Sequence, residues 1–455
     1  MASTSGSETT HPVVFSTQTP YPLPSQRFMI PTSWRRYQLS QLVNKALSLP
    51  KPVPFDFLVR GEILRTTLAE WCAEKGIGEE ETLEIEYFES VMPPQKMSTI
   101  PHEDWVSSVS CQLSGYFLTA SYDGHIRVFD YSQKLLHTAS THSAPIASLC
   151  LVPTPSTPST HLIATASHDL TARLMSLTLS SDDTDAMRTE TLASLHLHTA
   201  PVASVQANAT GTHLLTASWD TLIGFWDTSI PGADEVPAED GERKKRRRVE
   251  EDAPRARRKA PLAVLKSHTA RVSKAVFAAG AGAQAYSCGI DSTVRVWDVE
   301  NGVCTDTITA SAKPFLDLAI TPLGTSALAA STDRTVSQYD LRASSTSAVT
   351  PSTATLNHPA MPSCIALPPA SSSGTGIVTS AHEHQLLTGA YDGIVRLWDL
   401  RSVKSAVASF KTFEEKSKME KKILSVDWAS GVVCVGGEGG VEVWRAGEGD
   451  RAFLS

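Results

Sequence analysis

The 455-residue sequence predicts a mainly β chain: a seven-bladed β-propeller preceded by a small domain of β-grasp order. Three observations predict it. An acid at a tight turn, followed seven residues later by a second polar position, recurs seven times. Each recurrence falls within a four-strand pattern whose period is about 40 residues, which is the signature of a repeat architecture. The amino-terminal stretch follows another order, with strands interleaved between two short helical patterns.

The repeat is explicit in the residues. Asp123 leads to Asp130 through Gly124-His125-Ile126-Arg127-Val128-Phe129. Asp220 leads to Asp227, Asp291 to Asp298, Asp333 to Asp340 and Asp392 to Asp399. Two copies are degenerate, Asp169 to Ser176 and Glu438 to Arg445. In the first copy Trp105–Val109, Tyr116–Ser121, Ile126–Phe129 and Leu135–Thr138 read as four strands, with Asp123-Gly124 as a hairpin turn. His142, His198, His268 and His358 recur where blades open, and Trp226, Trp297, Trp398 and Trp444 recur on third strands. This set resembles the WD-repeat family over roughly residues 95–455. The resemblance implies that such a His, a Ser/Thr, the turn Asp and the Trp form a buried hydrogen-bonded network in each blade. A repeated Asp–His pair is then a packing device, because buried polar groups must find partners. After Trp444 only eleven residues remain, rich in Gly and charge, so the outer strand of the last blade is expected from Gln95–Ile100.

Composition excludes several classes. No run of 18 apolar residues exists and the polar start Met1–Thr10 is no secretory leader, so neither a membrane span nor export is expected. Seven scattered cysteines without a CxxC pair fit a reducing compartment, with neither a disulfide framework nor a zinc site. The His382-Glu383-His384 cluster lacks the spacing of a zinc helix, and His196 with His198 lies on a strand, so no metal is expected at either. No phosphate-binding GxxxxGK[ST] motif and no nucleophile–base pair is present, and the chain reads as an adaptor rather than an enzyme. It needs no cofactor and no small-molecule substrate.

Residues 12–90 build the first domain. Val13–Phe15 and Arg27–Pro31 are strands, and Leu39, Leu42, Val43, Ala46 and Leu47 mark one face of a helix. Phe55–Val59 and Ile63–Leu64 follow as strands. Thr67 with Glu70 forms a capping box for a second helix that Gly76 ends. Leu83–Tyr87 closes as an alternating strand. This is the order of ubiquitin, but Val91-Met92-Pro93-Pro94 replaces a terminal diglycine, so the domain can dock and cannot be conjugated. The expected layout is a ubiquitin-like domain at 11–91, a linker with the closing strand at 92–101, and the propeller at 102–455. A disordered insertion is expected over 230–262.

That insertion concentrates charge. The chain carries −8 overall, yet residues 243–259 hold ten Lys/Arg against three Asp/Glu. The run Arg243, Lys244, Lys245, Arg246, Arg247, Arg248 lies between the third and fourth repeat ends and fits a nuclear import signal. Phosphate contact with pre-rRNA is a second reading, weakened because no aromatic residue is interleaved. A solvated loop is the third.

Lys51-Pro52-Val53-Pro54-Phe55-Asp56-Phe57-Leu58, Gly61-Glu62-Ile63-Leu64-Arg65, Glu86-Tyr87 and Glu103-Asp104-Trp105-Val106 resemble one family. It comprises the ribosome-biogenesis WD-repeat proteins with an amino-terminal NLE (Notchless-like) domain, and the likeness spans the chain. The resemblance is nearest to the branch that joins pescadillo and the block-of-proliferation protein on pre-60S particles. It implies an assembly factor for 27S pre-rRNA processing, working in the nucleolus and nucleoplasm of the nucleus. The propeller would hold the block-of-proliferation protein and the ubiquitin-like domain the AAA ATPase Midasin. It further implies that Glu80, three residues before the last strand's first Leu, supplies a carboxylate to Midasin's metal, with Glu79 and Glu81 flanking it. A Notchless-like pre-60S factor, or a generic WD40 adaptor with direct RNA contacts, is the alternative.

Overall fold

A computed structural model of the chain describes residues 9–19, 21–49, 52–78, 80–90, 94–154, 159–179, 187–237, 256–278, 284–309, 313–342, 351–368, 384–413, 420–429 and 431–446. Two units are present, and each has its own core.

The first is the β-grasp domain. Strands β1 (Thr10–Ser16) and β2 (Arg27–Pro31) form a hairpin, followed by α1 (Arg36–Leu47), β3 (Phe55–Val59), β4 (Glu62–Ile63), α2 (Leu68–Lys75) and β5 (Leu83–Glu89). The sheet order is β2-β1-β5-β3-β4, with β1 and β5 parallel at its centre and the other neighbours antiparallel. Alternation decides which face is buried. Val13 and Phe15, Phe55, Phe57 and Val59, and Leu83, Ile85 and Tyr87 point to one side and meet Leu39 and Val43 of α1 and Trp71 of α2. Phe15, Phe55 and Tyr87 meet edge to face, with Phe55 and Tyr87 centroids 5.5 Å apart. The capping box is formed as expected. Glu70 N donates to Thr67 Oγ1 at 3.2 Å, Thr67 N donates to Glu70 Oε2 at 3.1 Å, and Gly76 takes the left-handed conformation that ends α2. Leu42 and Leu47 of α1 are only partly buried, so the helix buries a narrower face than the spacing suggests.

The second unit is a closed array of seven sheets. Blade 1 has strands a (Val106–Ser110), b (Tyr116–Ser121), c (His125–Asp130) and d (Leu135–Ser140). The inner strands of blades 2 to 7 are Ile146–Val152, Val202–Ala207, Val272–Phe277, Phe315–Ile320, Pro362–Ala366 and Ile423–Ala429, each beside the next and the last beside the first. Side chains at fixed positions on one inner strand bond the backbone of the next. Ser107 Oγ donates to Ile146 O at 2.6 Å, Ser273 Oγ to Phe315 O at 2.6 Å and Ser363 Oγ to Ile423 O at 2.7 Å. One residue further along, Ser108 Oγ accepts from Leu149 N, Ser204 Oγ from Ala275 N and Asp317 Oδ2 from Ile365 N. These bonds satisfy groups that face the neighbouring blade instead of their own ladder.

The array closes with a shared blade. β6 (Gln95–Ile100) lies antiparallel to Gly440–Arg445 as the outer strand of blade 7, pairing Ile100 with Val441 and Gln95 with Arg445. Lys96 supports this seam by an ion pair at 2.5 Å to Glu442, which is buried. Val91–Pro93, just before this strand, lie outside the described residues.

The insertion departs from expectation at both of its ends. Residues 230–237 and 256–262 are placed, and 238–255, including Arg243–Arg248, lie outside the described residues. It interrupts blade 3, between that blade's third strand (Leu222–Asp227) and its fourth (Ala263–Lys266). Arg257–Lys259 forms a short strand parallel to the outer strand of blade 2, Arg188–Leu195, as a fifth strand of that sheet. The physical cause is twofold. An outer strand offers unpaired backbone groups, and the Lys259 ammonium, almost fully buried, is neutralised by Asp227 at 2.5 Å. Asp234 Oδ1 accepts from Arg258 N, Glu235 N donates to Arg258 O, and Glu235 Oε2 accepts from Ala260 N. Two of the ten cations counted toward the basic run, Arg258 and Lys259, are therefore buried in the fold.

Candidate functional site

The recurrent blade residues form networks, and these differ from blade to blade. In blade 2 His142 Nδ1 lies 2.8 Å from Asp169 Oδ2 and Nε2 lies 2.8 Å from Thr165 Oγ1. Blades 3 and 4 repeat this with His198, Asp220 and Thr216, and with His268, Asp291 and Ser287. Trp226 Nε1 and Trp297 Nε1 donate to Thr216 Oγ1 at 2.9 Å and Ser287 Oγ at 2.8 Å, completing four-residue chains. Burial would raise the Asp291 carboxyl, but the His268 ring, the Thr293 hydroxyl and the Thr269 N–H hold it down at about 2.

The pair is not universal, contrary to the pattern expected of every blade. Asp123 of blade 1 pairs with Arg127 at 2.6 Å, and Asp392 of blade 6 with Arg396 at 2.6 Å. Asp333 of blade 5 pairs with Lys313, and Glu438 of blade 7 with Lys422. An arginine four residues after the turn acid reaches back over one hairpin, and so competes with the histidine for the same carboxylate. In blade 6 His358 keeps Thr388 Oγ1 at 2.8 Å, while its Nδ1 lies 3.1 Å from Leu356 O. Trp398 is buried on the third strand of that blade. Trp444 departs from its expected role. Strand b of blade 7 is Val432–Gly437, with no hydroxyl to receive the indole, which donates to Glu442 Oε2 instead. His102 fills the opening position of blade 1, Nε2 at 3.0 Å from Thr119 Oγ1, and escaped notice because it precedes the first complete repeat.

Two surfaces remain that these networks do not use. The first is a belt on the face where the turn acids lie. In six blades the residue just before the turn acid, and in blade 7 the turn acid itself, donates its N–H to the carbonyl of the residue just before the inner strand: Tyr122 to Trp105, His168 to Pro145, Trp219 to Pro201, Ile290 to Arg271, Thr332 to Pro314, Tyr391 to Met361 and Glu438 to Lys422. That seven-fold bond sets these side chains at one level around the array. From blade 7 to blade 4 they touch in series. Lys422 Nζ lies 5.9 Å from the Trp105 ring, Trp105 lies 5.9 Å from Tyr122, Tyr122 6.3 Å from His168, His168 5.3 Å from Trp219, and Arg271 sits 4.6 Å over Trp219. Lys422 also lies 5.5 Å from Tyr391. Trp105 is 42% and Trp219 37% exposed, unusual for tryptophan on a face with no covering segment among the described residues. Burial keeps His168 below the ordinary imidazole value, which favours the neutral ring, and that ring packs tilted against Tyr122 and Trp219. Aromatic rings edged by cations are the composition of a protein-binding centre.

The second surface is the turn before β5. His11, buried in β1, lies with Nε2 3.1 Å from Gly78 O, and Glu81 N donates to Gly78 O at 3.2 Å. Glu81 is ion-paired with Arg60, which sits at the β3–β4 hairpin. Glu80 between them is exposed and has no ion pair among the described residues. Glu79 lies outside those residues, as do His382 and Glu383. His196 donates its backbone N–H to Lys259 O. Among the described residues no group of three His, Cys, Asp or Glu side chains gathers as a metal cage, and no helix is long and apolar enough to cross a membrane.

Fold and surfaces define a class: a WD-repeat propeller carrying an NLE domain, built to present binding faces. Residues 12–72 match the NLE (NUC135) domain family, and residues 94–130, 189–227, 259–298 and 354–399 match the WD domain, G-beta repeat. The chain is 62% identical to the ribosome biogenesis protein YTM1 of Laccaria bicolor, over 98% of this chain and 97% of that one. It is 56% identical to the protein of that name from Coprinopsis cinerea (96% and 94% covered) and 33% to that from Saccharomyces cerevisiae (93% of each). The chain belongs to the YTM1 family of ribosome biogenesis proteins.

Proposed function

We propose that this ribosome-biogenesis factor is a scaffold of the pre-60S particle that serves maturation of the large-subunit rRNA. Its propeller holds the block-of-proliferation protein, and through it pescadillo, while its ubiquitin-like domain engages the AAA ATPase Midasin. The relatives' shared name supports the process, and the cation-edged aromatic belt supports the propeller's part. The observation that carries the division of labour is Glu80. It is an exposed carboxylate without an ion pair among the described residues, on a turn whose neighbour Glu81 is already neutralised by Arg60. A hard divalent cation with an open position takes such an oxygen. The partner supplies the metal; this chain supplies one ligand.

Capture on the MIDAS domain of Midasin in Mg²⁺ tests the reading. Glu80→Ala is expected to lose capture by roughly 2–5 kcal/mol, the cost of an incomplete charged pair, while melting temperature and propeller binding stay unchanged. Capture undiminished in Glu80→Ala, and in Glu79 and Glu81 variants, discards Glu80 as the ligand. We also propose that the run Arg243–Arg248 serves nuclear import and that the protein works in the nucleolus and nucleoplasm.

A further inference from the structure

The ubiquitin-like domain is electrically lopsided. From Thr9 to Phe55 there is no Asp or Glu, whereas all ten acids of residues 9–90 fall between Asp56 and Glu89. The acid-free half contains β1, β2 and α1, and with them Arg27, Arg35, Arg36 and Lys45. Arg36 is paired with Asp56 at 2.7 Å. Among the described residues Arg27, Arg35 and Lys45 are exposed and carry no ion pair.

The same half contains an open sheet edge. β2 has β1 on one side and, among the described residues, no strand on the other. Met29 stands opposite Pro12 in the β1–β2 register. Proline has no N–H, so this pair cannot be one of the doubly bonded pairs of an antiparallel ladder. The N–H and C=O of Met29 therefore turn toward the open edge. Its side chain is 62% exposed, while Phe28 beside it is half-buried and packs on Phe15 at 5.4 Å. The helix supplies the other wall. α1 turns Arg36, Ser40 and Asn44 toward β3, bonding Asp56, Phe55 N and Val53. Its opposite flank carries Leu42 and Ala46, four residues apart, with Leu42 half-buried and the N-cap residue Arg35 seven residues before it.

We propose that the edge of β2, with the adjoining flank of α1, accepts an extended apolar segment of a partner protein flanked by acidic residues. The segment adds to the sheet as a sixth strand. Main-chain bonds to Met29 hold it, alternate apolar side chains lie along Phe28 and Leu42, and its acids meet Arg27 and Arg35. Natural domains that keep an edge unpaired protect it with inward charge, bulges or proline on the edge itself. Pro31, also without an N–H, closes β2, so the donor left free at the middle of this edge is Met29. The site lies apart from Glu80 in sequence and in charge, and does not depend on the Midasin reading.

The probe is a fluorescein-labelled peptide, Glu-Asp-Val-Ile-Val-Ile-Asp-Glu, titrated against the full chain by anisotropy. We expect saturable binding that weakens as salt rises. Met29→Pro removes the outward N–H without touching the β1 ladder, and is expected to weaken binding at least roughly tenfold with an unchanged melting temperature. If that variant melts early, Arg27→Glu with Arg35→Glu is the second test, since it leaves the backbone alone and is expected to invert preference toward a lysine-flanked peptide. Equal binding of acid- and lysine-flanked peptides by the wild type overturns the proposal, as does unchanged binding in both variants. Displacement of the peptide by oligo(U) RNA with higher affinity also overturns it, assigning the basic edge to phosphate.

Discussion

The carboxylate of Asp427 accepts a hydrogen bond from Cys111 N at 2.8 Å, tying the inner strand of the last blade to that of the first. The Cys111 thiol lies 3.6 Å from the same oxygen. Ser425 Oγ, two residues earlier, accepts from Val109 N. The seam thus uses the same inter-blade bond that joins the other blades, with a carboxylate added.

Asp427→Ala leaves the Cys111 N–H without its acceptor in a closed interface. A loss of about 1–3 kcal/mol is expected, read as a lower denaturant midpoint at unchanged slope. Asp427→Asn keeps an acceptor oxygen and should lose less. Equal loss in the two variants contradicts a role through that bond.

Truncation separates the closing strand from the domain before it. A chain starting at Gln95 retains β6 and should melt like the parent propeller. A chain starting at His102 lacks it, exposes the edge of Gly440–Arg445 and leaves buried Glu442 without Lys96. It should melt lower and aggregate on heating. Equal melting temperatures for the two refute the shared blade.

Acid should weaken the propeller in two steps. Burial holds His358 down at about 4, below its ordinary 6.5. A group depressed on folding contributes stability that is present above the unfolded value and lost as pH falls through the folded one. His358 therefore withdraws support between about pH 6.5 and 4, up to about 3 kcal/mol by linkage. Asp291, held at about 2 against 3.8, withdraws its own only below pH 4. Melting temperature measured from pH 7 to 3 should show an earlier decline that His358→Gln flattens and Asp291→Asn does not.

The two halves of the basic insertion should separate by mutation. Lys259→Met leaves the partly exposed Asp227 without its ammonium and should destabilise blade 3 by about 1–3 kcal/mol, the worth of a hydrogen bond to a charged group. Replacing Arg243–Arg248 with Ser should leave the melting temperature alone and shift a fluorescent fusion toward the cytoplasm, tested in cells depleted of the block-of-proliferation protein. If the fusion stays nuclear but pre-rRNA affinity falls, most visibly at low salt, the run contacts phosphate instead. Nuclear location and RNA affinity both unchanged leave a solvated loop.

Much of this was legible beforehand, for identifiable reasons. The turn acids, the capping box of α2 and the closing strand are set by local chemistry and by counting, and both survive in a bare sequence. Partner choice inside a blade did not come through. Whether Asp392 takes His358 or Arg396 depends on which side chain reaches it across a hairpin, and Arg127, Arg173, Arg295 and Arg396 stand at the same spacing. The fifth strand at Arg257–Lys259 was hidden because a strand of consecutive cations looks like a solvated run; only the distant Asp227, Asp234 and Glu235 explain it. The aromatic belt was equally silent. Its rings come from separate repeats, and only the seven-fold N–H to carbonyl bond brings them level.

A strand borrowed from the front of the chain has a consequence for birth on the ribosome. Gln95–Ile100 leaves the exit tunnel about 340 residues before its partner Gly440–Arg445. At bacterial-to-eukaryotic elongation speeds that is a wait of roughly 20–70 s. Throughout that interval the six complete sheets can form one after another, but the last cannot seal until translation is all but finished. Nascent chains stalled before Gly440 should therefore hold Gln95–Ile100 open to proteolysis, and released chains should protect it.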